Sequence, residues 1–139
     1  VDVTRREHFF LVGPDERVLY RDAGESAVRI PDARARWEAI WERRATVVEI
    51  AHSHPIGPLA FSAEDETTMA AIESALGKRV VFSVVAPDGM LRRQEGRDVR
   101  VSCEPRWAGE LREVSGMDPE PRPSEGREPE EPGGEGPGA

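Results

Sequence analysis

Two of the chain's three histidines stand two residues apart in His52-Ser53-His54-Pro55, with Ser62 and Asp65 inside the same fourteen residues. Side chains at i and i+2 of a strand leave the same face, so the two imidazoles can converge on one ion while Ser53 points the other way. Asp65 falls in the first turn of the helix that should follow. Met69, Ile72 and Leu76 continue its stripe at helical spacing, the face that packs on a sheet. That phasing aims Asp65 back at the strand end carrying the histidines. A carboxylate in such a place is costly without a counter-charge, and a metal ion supplies one. A catalytic zinc site typically uses three protein ligands and leaves a fourth position for water. His52, His54 and Asp65 are the candidate ligands for one Zn2+ per chain.

A zinc hydrolase also needs a general base and a group that steadies the developing oxyanion. Ser62 opens Ser-Ala-Glu-Asp ahead of a helix and is a good N-cap. In a catalytic site its hydroxyl could also serve the oxyanion. The base must come from elsewhere, and Glu7 is the best candidate. On the first strand Glu7, Phe9 and Leu11 share one face, and His8 and Phe10 share the other. An acid leading an otherwise apolar face suits a strand end that opens on a polar site. Glu49 lies three residues before His52, on the opposite face. Glu64 and Glu66 flank Asp65 and are expected to point away from the metal, and His8 reads as a packing or surface histidine. There is no His-Glu-x-x-His helix, and one cysteine excludes the Pro-Cys-x-x-Cys of zinc deaminases.

These residues need particular elements to hold them. A strand over Glu7–Val12, a turn at Gly13-Pro14-Asp15 and a returning strand over Arg17–Arg21 read as a hairpin. A short strand at Ala27–Ile30 precedes a helix from Pro31 to about Arg44, whose apolar face is Ala33, Trp37, Ile40 and Trp41. Thr46–His52 reads as a buried strand, Ser62 to Gly77 as a helix and Arg79–Ala86 as another strand. Met90–Gln94 returns after a Pro87-Asp88-Gly89 turn, and Asp98–Cys103 closes the series. Strands alternating with helices imply an α/β fold with a mixed central sheet flanked by helices. Residues 1–104 are expected to form the domain, with 105–115 a short helix or linker. Residues 116–139, rich in Pro, Gly and Glu, are expected to be a disordered acidic tail.

That tail region holds seven acids against two arginines, five of the eight net negative charges of the chain. The remainder is only mildly acidic, which argues against nucleic acid as the main partner. The single cysteine, Cys103, cannot form an internal disulfide and reads as a small buried hydrophobe. No membrane span or signal pattern is visible, so a cytoplasmic setting is the expectation.

The order Glu7, then His52-Ser53-His54-Pro55, then Ser62-Ala63-Glu64-Asp65 resembles the complete JAMM motif of the JAB/MPN metalloprotease family, in spacings similar to its compact prokaryotic members. The resemblance spans about Thr4 to Cys103. It implies a three-layer, cytidine-deaminase-like fold and a zinc-dependent peptidase or isopeptidase. It further implies that His52, His54 and Asp65 bind zinc, Glu7 is the base and Ser62 steadies the tetrahedral intermediate. The implied partners are protein or peptide substrates, among them ubiquitin-like and sulfur-carrier proteins. The Glu7-His8-Phe9 opening is also similar to the RadC branch, which is associated with DNA, and some relatives of this fold are non-catalytic scaffolds. The His-Ser-His-Pro form is closer to the peptidase branch.

Overall fold

The computed structural model describes residues 6–23 and 34–117. In chain order the elements are β1 (His8–Val12), β2 (Val18–Ala23), α1 (Arg34–Glu42), β3 (Glu49–Ser53), α2 (Ala63–Leu76), β4 (Val81–Ala86), β5 (Gly89–Gln94), β6 (Arg97–Arg100) and α3 (Arg106–Val114). The six strands form one sheet in the order β2-β1-β3-β4-β5-β6. Only β3 and β4 run parallel, joined by the α2 crossover, and every other neighbouring pair is antiparallel. The expected α/β class with a mixed sheet is what forms.

Strand alternation divides the core into two layers. Phe9, Leu11, Ile50 and Phe82 face one side, where Ala39 and Ile40 of α1 and Met69 and Ile72 of α2 cover them. Phe10, Val12, Ala51, Val85 and Met90 face the other, under Trp107, Ala108 and Leu111 of α3. Helices therefore lie on both faces of the sheet, and within residues 105–115 the helix Arg106–Val114 packs into the second core layer.

α2 has defined ends. Ser62 Oγ accepts from the Asp65 N–H, and the Asp65 carboxylate accepts from the Ser62 N–H, a reciprocal capping box. Gly77 closes the helix in the left-handed region at φ 66°, where a Cβ would be strained. α3 ends in a second defined cap. The Gly116 N–H bonds Glu113 O and the Met117 N–H bonds Arg112 O, with Gly116 at φ 78°. Met117 is buried, so Gly116 and Met117 belong to this cap and not to the tail. The rest of the expected tail and the short strand at Ala27–Ile30 lie outside the described residues, as do Pro31 to Ala33 of the first helix.

Two further expectations change. Trp41 is half exposed, stacked under the Arg44 guanidinium 4.0 Å from its ring centroid. α1 instead turns Arg36, Ala39 and Ile40 inward, and Arg36 is tolerated there because it pairs with Asp22 and lies over Phe9. Cys103 is exposed, because β6 is a fully exposed edge strand that ends at Arg100 and leaves residues 102–103 in a surface bend. Among the described residues no helix is long and apolar enough to cross a membrane.

Candidate metal centre

The parallel β3–β4 pair fixes where the site forms. β3 ends at Ser53, and α2 starts its first turn at the same edge of the sheet. The His54 N–H donates to Val85 O at 2.8 Å, which carries the ladder one residue past β3 and holds the second histidine in line with the first. The antiparallel register Phe9↔His52 then places Glu7, two residues earlier on the neighbouring chain, across from His54. The candidate ligands and the acid thus come from three pieces of the fold: the residue just before β1, the end of β3 and the first turn of α2.

His54 Nδ1 lies 2.9 Å from Pro58 O. A carbonyl can only accept, so Nδ1 carries the proton and Nε2 presents its lone pair inward. His54 Nε2 stands 3.2 Å from His52 Nε2. Asp65 Oδ2 is 3.1 Å from His52 Nε2 and 3.4 Å from His54 Nε2. In a tetrahedral centre with ligand bonds of about 2.0–2.1 Å, adjacent ligand atoms lie about 3.3–3.4 Å apart. The triangle of two imidazole nitrogens and one carboxylate oxygen has that size and the donor chemistry that suits zinc. Two nitrogens this close, aimed at one point, also need a proton or a cation between them. The residues present fit the ion.

The electrostatics agree with a shared site. Burial would raise the Asp65 carboxyl, but the hydrogen bonds of His52 and His54, the His52 charge and the Ser62 N–H hold it far below the ordinary carboxylate range. Burial opposes charge on His54 as well, yet Asp65, Pro58 O and Glu7 together raise its pKa. Glu7 is only 3% exposed. Burial, reinforced by Asp65 and Glu64 and opposed by His54 and Arg36, pushes its carboxyl up to about 7. Glu7, His52, Ser62 and Asp65 line a cavity of about 340 Å³ together with apolar residues, Phe9, Ile50 and Met69 among others.

Each residue singled out in the sequence can now be placed. His52, His54 and Asp65 come together. Glu7 and Ser62 open onto the same cavity. Ser62 Oγ caps α2, accepting from Asp65 N at 3.0 Å. Glu49 faces away, where Ser83 and a bidentate Arg92 satisfy it. Glu66 also points away, onto Arg93. Glu64 does not: it lines the cavity beside Asp65. Arg36 is a further cavity residue that no motif announces, since an arginine in a surface helix ordinarily reads as solvated.

Fold and site together define an α/β protein with a two-histidine, one-aspartate cluster where a parallel strand meets the next helix. The family model for prokaryotic homologs of the JAB domain matches residues 8–102, and the chain belongs to that family. No curated protein shows a significant match to the chain. The matched span begins one residue after Glu7 and stops before α3.

Proposed function

We propose that the chain is a zinc-dependent metallopeptidase or isopeptidase of the JAMM type. The observation that carries this is the His52–His54–Asp65 triangle, with edges of 3.1 to 3.4 Å, beside a buried glutamate. His52 Nε2, His54 Nε2 and an Asp65 oxygen would hold the ion. Zinc, when bound, polarises a scissile carbonyl and lowers the pKa of a coordinated water toward about 7. Glu7 takes the proton of the attacking water and returns it to the leaving amine. Its buried place in the cavity lining keeps that proton from bulk solvent. Ser62 Oγ accepts the capping N–H of α2, and its O–H donates to the oxyanion. The substrate is a protein or peptide, with the C-terminal junction of a ubiquitin-like or sulfur-carrier protein as the favoured target.

The test is incubation of zinc-loaded protein with a panel of ubiquitin-like fusions, with Glu7→Gln as control. Cleavage by the wild type and none by Glu7→Gln is expected. Stoichiometric zinc binding without hydrolysis of any fusion would favour a scaffold role instead.

A further inference from the structure

Ser53 and Ser115 are both fully buried, and no step above uses either of them. They meet on the α3 side of the sheet. The Ser115 hydroxyl donates to Ser53 Oγ at 2.7 Å. Ser53 Oγ also accepts the His8 N–H at 2.8 Å. The Arg6 N–H donates to Ser115 O at 3.1 Å. The backbone amides on both sides of Glu7 are therefore fastened to this one serine pair.

The position of the pair explains why it is needed. The β1–β3 ladder stops at Phe9↔His52, so ordinary strand pairing does not reach Glu7. Ser53 replaces the missing rung with its side chain. Because Ser53 lies between His52 and His54, the same residue ties the ligand strand to the acid. Ser115 is in turn fixed as the C-cap of α3, through its N–H to Leu111 O at 3.1 Å. α3 itself is anchored by buried Trp107 and Leu111 and by Arg112 on Ala86 O and Gly89 O. This helix lies beyond the family match.

We propose that Ser53 and Ser115 are positioning residues that hold Glu7 at the metal centre, making the α3 cap part of the catalytic apparatus. The inference rests on Glu7 being the general base. A misplaced base costs rate without costing metal or substrate binding. Ser53→Ala should therefore lower kcat about 10- to 100-fold at unchanged KM and zinc content, and Ser53→Thr, which keeps the hydroxyl, should restore part of it. In a Glu7→Gln background, Ser53→Ala should cause no further loss. The probe is ubiquitin fused through its C-terminus to a short peptide, or whichever fusion of the panel is cleaved best. Independently of turnover, Ser53→Ala, which removes the acceptor of the His8 N–H, should speed hydrogen exchange at the His8 amide while the β3 and β4 amides stay protected. An equal loss in both backgrounds, loss of zinc, or unchanged amide exchange overturns the proposal. Full activity in Ser53→Ala with an inactive Glu7→Gln overturns this inference alone. An active Glu7→Gln overturns the base assignment, and this inference with it.

Discussion

Glu7→Gln in the metal-free protein gives a direct measure of the strain at the site. The unfolded chain titrates this carboxyl near its ordinary 4.5, and the folded chain near 7, chiefly through burial. Between those values the folded protein binds the extra proton, so stability falls as pH rises through the window, and the full penalty applies above 7. The interval corresponds to roughly 3 kcal/mol. Relaxation of the surrounding dipoles around the ionised carboxylate reduces the figure to on the order of 2 kcal/mol. Glutamine keeps the shape and cannot ionise. Its stability relative to wild type should therefore improve by about that amount between pH 5 and pH 8. Urea unfolding followed by tryptophan fluorescence in chelator should show the midpoint difference between the two proteins widening by about 1 M over that range. The same difference at both pH values would refute a carboxyl held neutral by burial. Adding zinc should remove the effect, because a cation on the neighbouring ligands favours the charged form.

Other outcomes follow from the same geometry. His54→Ala and Asp65→Ala should lose stoichiometric zinc by equilibrium dialysis, whereas Glu7→Gln should keep it and lose about 10²- to 10⁴-fold in turnover. Ser62→Ala should cost about 1 kcal/mol in chemical denaturation through the lost cap of α2. It should also lower kcat by about 10²-fold or more if its hydroxyl serves the oxyanion. Leu111→Ala, which empties a fully buried position under the sheet, should cost about 2–5 kcal/mol in the same denaturation assay.

Much of this was legible in the residues because short-range rules decide it. The N-cap at Ser62 and the glycine at 77 set both ends of α2 from local chemistry. Parity on the first strand was enough to put Glu7 on the face of Phe9 and Leu11, and parity on the histidine strand put Glu49 on the face away from His52. What escaped depends on the third dimension. Periodicity marked Trp37, Ile40 and Trp41 as one face of α1, but the face that packs is rotated toward Arg36 and Ala39, and only the sheet beneath it chooses. Cys103 looked like a hydrophobe because nothing local shows that β6 is an exposed edge. The segment after Glu104 looked like a margin of the domain because proline, glycine and glutamate follow so closely. Its two tryptophan-side turns nevertheless bury Trp107 and Leu111. The Ser53–Ser115 contact joins residues 62 apart, and no motif carries that information.

Asp65 Oδ2 is shared. It accepts the Ser62 N–H that starts α2, at 2.7 Å, and it is also one corner of the ligand triangle. The helix would therefore act as a lever with a bound ion at its tip. Any repacking at Met69 or Ile72 that slides α2 along its axis moves that corner relative to the two imidazoles. Core positions that never touch a bound ion would thereby become determinants of its affinity.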